Sequence, residues 1–167
     1  MDTLKTLPLS QRKFDYFFIV MFCFFFITSM IADSIPTIYG HIDGTSDNIL
    51  MKLNYNYANG CDPLFLNPPF WMRIITGLST FVYGPFYLVL VYALIRGKNQ
   101  IQVPAVVYAT AIFFLTGIVV FGVELFGEPQ WRCQNLAKFL PYNLPYAIVP
   151  LILLIRMRKE NPFMRKF

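Results

Sequence analysis

The chain carries apolar runs longer than a water-soluble core requires. Residues 14–31, FDYFFIVMFCFFFITSMI, are apolar apart from Asp15 near the start. A helix of about 20 residues crosses ~30 Å of hydrocarbon, so extension through 32–35 completes a span. The run exceeds the ~7–15 apolar residues of a cleaved signal peptide, and no small-x-small site follows, so an uncleaved first span is expected. Three further runs follow, at about 69–95, 103–125 and 141–157. Only 14% of residues are charged and 56% are hydrophobic, against about 25% charge in a soluble domain. The expected fold is all-α: a polytopic membrane protein of one domain, built as a four-helix transmembrane bundle.

Proline sits inside two of these runs. Pro85 interrupts the second, where a kink is expected. Pro145 and Pro150 lie in the fourth and free carbonyls that a neighbour or a cavity must satisfy. An internal cavity is therefore expected. Gly77, Ser79 and Gly84 give the second span a small-residue face for close approach of a neighbour.

The connection from 36 to 61 is polar and rich in turn formers. The first span is expected to end near Ile35, with Asp33 at its far end and Pro36 beyond. Within the connection, Asp47-Asn48 suits a helix cap before 49–58. That stretch places Ile49, Leu50, Leu53 and Tyr57 on one face, as a helix lying on the membrane or capping the bundle. The block DPLFLNPPFW follows at 62–71. Its prolines predict a stiff, non-helical approach to the second span, with Pro68 or Pro69 in that span's first turn. Trp71 suits the membrane–water interface.

The net charge is +5. Its distribution argues for topology and against nucleic acid. Ten basic residues fall in the N-terminal tail, the 96–102 loop and the C-terminal stretch; Lys52, Arg73, Arg132 and Lys138 fall on the opposite side. The positive-inside rule predicts both termini in the cytosol. The predicted layout is a cytosolic tail at 1–13, the four-helix domain at 14–157 and a basic cytosolic tail at 158–167. That last tail lacks the lysine three from the end that a dilysine retrieval signal needs.

This topology brings Asp33, Asp62 and Glu124 toward the non-cytosolic side. A charge in mid-bilayer costs at least ~2.5–3.5 kcal/mol, so such acids face a cavity unless they sit solvated among headgroups. Both placements are open for Asp33 and Glu124, and a turn-forming role is open for Asp62. A carboxylate in an apolar pocket binds an amine, and Tyr83, Tyr108 and Tyr146 are candidate aromatic walls. The single His41 has no metal-ligand spacing around it, and no phosphate-cradling loop is present, so neither metal nor cofactor is expected. Cys61 and Cys133 share the non-cytosolic side, where a disulfide between them is permitted.

Several blocks taken together resemble one family. DPLFLNPPFW, YALIRGK, VPAVVY and LPYAIVPLILLI are similar to the sigma-2 receptor (transmembrane protein 97) branch of the EXPERA family, which also holds the emopamil-binding sterol isomerase. The likeness covers roughly 14–157. It implies four helices with cytosolic termini, an endoplasmic reticulum membrane and a homodimer. It also implies a lipid-accessible cavity for sterols or oxysterols and hydrophobic amines, with a role in cholesterol homeostasis through a Niemann–Pick type C-like transporter. The implied ligand-binding residues are Asp33, Asp62 and Tyr146, with Pro145 and Pro150 around the tyrosine. One departure stands out. Ser79 occupies the place of a family glutamate, and Tyr83 that of a glutamine; Glu124 is the candidate to compensate. Isomerisation needs a buried acid–base pair, and the second span offers neither His nor Glu. A non-enzymatic receptor is therefore expected, with an escort for other membrane proteins as the alternative and a sterol isomerase after it.

Overall fold

The computed structural model describes residues 4–166. A short strand β1 (Leu4–Thr6) pairs antiparallel with β2 (Met164–Lys166), Lys5 opposite Arg165. Between them, after a 3-10 turn at Leu9–Gln11, lie six longer helical segments: α1 (Lys13–Tyr39), α2 (Ile49–Ala58), α3 (Pro63–Leu66, a single turn), α4 (Phe70–Arg96), α5 (Asn99–Phe126) and α6 (Leu136–Arg156). Four of them, α1, α4, α5 and α6, are long and apolar enough to cross a membrane. Large apolar side chains such as Val20, Ile74, Val89 and Val107 stay exposed on their outer faces, as they should where lipid is the solvent. The pairing of β1 with β2 joins the two terminal tails. Residues 1–3 of the first tail and Phe167 of the second lie outside the described residues.

The helix boundaries correct the sequence reading in three places. The first span does not stop at Ile35. It runs through Pro36 to Tyr39 and ends at Gly40, which takes the left-handed conformation with φ 77°. Asp33 is thus inside a helix, not at its end. The ladder opens to an i→i+5 register at Ser29–Asp33, just before Pro36, at Ser79–Tyr83, just before Pro85, and over Phe113–Val120 of α5, where no proline follows within the helix. A proline has no N–H for the carbonyl four residues back and its ring collides with it; the wider turn relieves both. Second, α6 starts at Leu136, ahead of Pro141. Asn135 caps it, its side chain accepting from the Lys138 N–H at 3.1 Å. Third, DPLFLNPPFW is not wholly extended: Pro63–Leu66 forms one helical turn, and Pro69 stands just outside α4 as its N-cap.

Asn48 caps α2, accepting from Leu50 and Met51. The inward face is Met51, Asn54 and Ala58; Ile49 and Leu53 are exposed. The helix therefore covers one end of the bundle and keeps an apolar face outward.

The helices pack as two pairs, α1 on α4 and α5 on α6. The small-residue face of α4 is used inside the first pair: Gly77 faces Thr37 and Gly84 faces Met30. The main core lies toward the termini and is aromatic. Phe22 stacks on Tyr87 at 5.8 Å, and Tyr87 meets Tyr108 edge-on at 5.6 Å. Such pairs contribute ~0.5–1.5 kcal/mol beyond burial. A second core, with Ile35, Met51, Leu64 and Met72, lies at the opposite end under α2.

The acid near the start of the first apolar run lies at the end of the bundle that holds the termini. Asp15 is fully buried and pairs with Arg12 and with Arg156 Nε at 2.8 Å. Arg12 also donates to the Leu94 carbonyl at 2.8 Å, one of the acceptors left open at the end of α4. Phe163 lies against both guanidiniums. The starts and ends of three spans are joined at this one cluster.

Candidate ligand-binding cavity

Between the two helix pairs, below α2, is a cavity of about 270 Å³. All four spans reach it. Its wall is largely apolar, with Phe24, Ile31, Leu53, Ile75, Ile112 and Val120 among the contributors. Phe24, Ile31, Leu53 and Tyr142 are also exposed on the outer surface. The mouth thus lies between α1, α2 and α6, on a surface that faces lipid.

Two carboxyls line it, Asp33 and Asp62. Asp33 enters from the wide turn of α1 and lies beside the Ser29 and Ser79 hydroxyls. Those hydroxyls bond each other at 2.7 Å, and Thr80 donates to the Ser29 carbonyl at 3.2 Å. The wide turns of α1 and α4 therefore face one another across the α1–α4 contact. Ser79 brings a small neutral donor next to Asp33 and leaves that carboxyl as the acid on this side.

Asp62 is held by the cap it makes. Its Oδ1 accepts from the Phe65 N–H at 2.8 Å, and its Oδ2 accepts from the Tyr57 hydroxyl at 2.9 Å. The Asn143 amide in turn donates to that hydroxyl at 2.6 Å and to the Phe139 carbonyl at 3.0 Å. Glu124 lies beside Asp62, and its Oε2 has no hydrogen-bond partner among the described residues. Burial pushes the Asp62 carboxyl above the usual carboxylate range, against the contacts with Glu124, Phe65 and Tyr57 that favour its charge. Burial, with Asp62 beside it, also raises the Tyr57 phenol well above its ordinary range.

Four of the six residues singled out in the sequence line the cavity: Asp33, Asp62, Ser79 and Tyr146. Tyr146 stacks on Phe25 at 4.2 Å and bonds the Thr28 hydroxyl. The other two do not reach it. Tyr83 would share the face of Ser79 in a regular helix. Tyr83 instead packs on Tyr108 at 5.4 Å, at the far end of the wide turn that begins with Ser79. Tyr108 is likewise a core residue. Glu124 is buried behind Asp62, neither solvated among headgroups nor on the cavity wall. Tyr57 and Asn143 were missed. An amide between two prolines in an apolar span was the available signal for Asn143. Cys61 and Cys133 are free thiols in the same small cluster. Burial, then the neighbouring Cys133, lifts the Cys61 thiol to about 11, which leaves little of the thiolate that disulfide formation needs.

An acid in an apolar wall accepts a charge-assisted hydrogen bond from an ammonium. The ring of Tyr146 adds an aromatic face to such a site. The Tyr57–Asn143 pair adds polar atoms suited to a hydroxyl. The arrangement fits an amphiphile with one polar end and an apolar body.

Comparison with known proteins agrees with this architecture. The chain is 32% identical over 105 residues to Sigma intracellular receptor 2 of Xenopus tropicalis, a match covering 58% of this chain and 60% of that protein. The chain thus spans less than two thirds of that relative's length in the match. The profile of EXPERA (EXPanded EBP superfamily) matches residues 49–157. That stretch holds Asp62, Ser79, Glu124 and Tyr146, and leaves Asp33 before it. On this match, which covers α2 to the end of α6, the chain belongs to the EXPERA family.

Proposed function

We propose that this protein is a non-enzymatic receptor for hydrophobic amines and sterols of the sigma-2 type. The carrying observation is the placement of Asp33 and Asp62 in one apolar cavity whose mouth is on the lipid-facing surface. An ammonium ~4 Å from a carboxylate gains roughly 4 kcal/mol at an effective dielectric near 20, before desolvation. A neutral sterol forgoes that term and relies on shape and a hydroxyl bonded within the Tyr57–Asn143 network. The name of the Xenopus relative supports a receptor in an intracellular membrane; we assign the endoplasmic reticulum. The crowding of basic residues at the terminal end supports a cytosolic position for both termini. A role in sterol homeostasis, regulation of a Niemann–Pick type C-like transporter and a homodimeric state complete the proposal.

The isomerase reading draws on the two carboxyls that share the cavity, since isomerisation adds a proton at one carbon and removes one at another. Against it, α4 offers no His or Glu, and Ser79 stands in the acid's place. The escort reading rests on the kinked helices and the small-residue faces, of which the face of α4 is already filled by α1.

The deciding experiment is saturation binding of a radiolabelled hydrophobic amine to the purified protein, beside Asp33→Asn and Asp62→Asn. Saturable binding, weakened at least about tenfold by each substitution, is expected. Absence of saturable binding by folded protein, or equal affinity in both variants, would overturn the amine site. Restored growth of an isomerase-deficient strain would overturn the non-enzymatic reading.

A further inference from the structure

A second pocket lies on the seam between α1 and α6, at the end opposite α2. It has a volume of about 710 Å³ and opens between the two terminal segments. Lys13, Arg158, Lys159 and Arg165 line it, and all four are exposed. Asp15 is the one acid in its wall, and both its oxygens are taken up by Arg12 and Arg156. Among the described residues none of the four outer cations makes an ion pair. The pocket therefore concentrates positive charge, and the one acid among its lining residues is already paired.

An apolar groove of about 430 Å³ continues along the same two helices. It is lined by Phe17 and Met21 of α1 and by Leu144 and Ile148 of α6, among other residues that are all apolar. Phe14 of α1 and Ile152 and Ile155 of α6 line the basic pocket and lead into the groove. Positions 14, 17 and 21 share a helix face, as do 144, 148, 152 and 155. From 144 to 155 a helix rises about 16 Å, roughly one leaflet of hydrocarbon.

We propose that this seam binds one anionic glycerophospholipid, its phosphate among Lys13, Lys159 and Arg165 and one acyl chain along Phe17, Met21, Leu144 and Ile148. The basic pocket supplies the charge complement and the groove supplies the apolar continuation; an anionic lipid has both in the same order. A basic pocket between spans at the headgroup level is a general solution for such lipids. The site is separate from the Asp33–Asp62 cavity, and no residue of its basic pocket or its groove lines that cavity.

The test uses the full chain purified in detergent and stripped of lipid. It is offered equal amounts of dioleoyl phosphatidylserine and dioleoyl phosphatidylcholine, and retained lipid is counted by native mass spectrometry. One phosphatidylserine is expected to be retained, with a preference of about tenfold or more. The paired change Lys159→Gln and Arg165→Gln, on exposed side chains, is expected to remove that preference; Ile148→Trp, which fills the groove, is expected to lower retention of either lipid. Equal retention of the two lipids by the unmodified chain, or a preference that survives the paired change, overturns the proposal. Soluble glycerophosphoserine separates a lipid from a free phosphate compound. It should compete only in large excess, and displacement at equimolar amounts overturns the lipid assignment.

Discussion

Asp62 caps α3, anchors Tyr57 and lines the cavity with one side chain, and each role bears on its proton. Burial raises its folded-state value above the ordinary 3.8. The folded protein therefore keeps a proton that the unfolded chain releases as pH rises from about 4. The associated stability is full below the unfolded value and is lost as pH climbs through the folded one. The thermal midpoint of the unliganded protein in detergent should fall across that rise, and Asp62→Asn should flatten the slope. An identical slope in the variant would assign the dependence elsewhere. The same residue marks how far the sequence was readable. An acid before proline, beside an apolar span, is visible in one dimension, and so are Asp33, Ser79 and Tyr146. Tyr57 and Asn143 matter because α2 folds back over α6, a contact between residues far apart in the chain that local pattern does not contain. Glu124 was visible as an acid near a span end, yet its burial behind Asp62 depends on the same closure.

Within the elements, hydrophobic runs and breakers located the four spans, because length and apolarity are sums over residues and survive error in any one position. They could not reveal the wide turns at Ser29–Asp33 and Ser79–Tyr83, since a hydrogen-bond register leaves no mark in composition. The prolines three residues beyond Asp33 and two beyond Tyr83 were visible, but they read as an end and a kink. Their consequence is functional. Ser79, on the cavity, and Tyr83, packed against the core, begin and end the wide turn in α4. Pro85 is exposed to the lipid side, so Pro85→Ala removes no core contact and restores the missing N–H. A regular register should then rotate Ser79 relative to Asp33. The expected outcome is amine binding weakened by roughly tenfold, with a thermal midpoint that holds or rises, because an interior proline costs ~3 kcal/mol where it is not accommodated. Unchanged binding would mean that the α1 contact, not Pro85, sets the wide turn.

Across the whole molecule, the polar groups divide into two ends with different tasks. At one end Asp33, Asp62, Tyr57 and Asn143 surround an open space. At the other, Arg12, Asp15 and Arg156 close on each other, with Phe163 against both arginines and the β1–β2 pair beside them. The second end holds the bundle because α1 touches α6 at few places between the Phe25–Tyr146 stack and this cluster. Removing one partner from a buried ion cluster leaves the other charges uncompensated, a loss of about 3–5 kcal/mol. Asp15→Ala should therefore lower stability by roughly that amount, read as a large drop in thermal midpoint in detergent. Asp15→Asn keeps the shape and loses the charge, so it should fall between the two. The cavity is built by the wide turns, α2 and α3, all at the far end, and none of its lining residues touches Asp15 in a hydrogen bond. The folded fraction of either variant should accordingly bind the amine within about threefold of the unmodified affinity, which is less than 1 kcal/mol. A larger change in affinity with folding intact would mean that the two ends are coupled through α1, and that the ion cluster sets the geometry of the cavity as well as holding the bundle together.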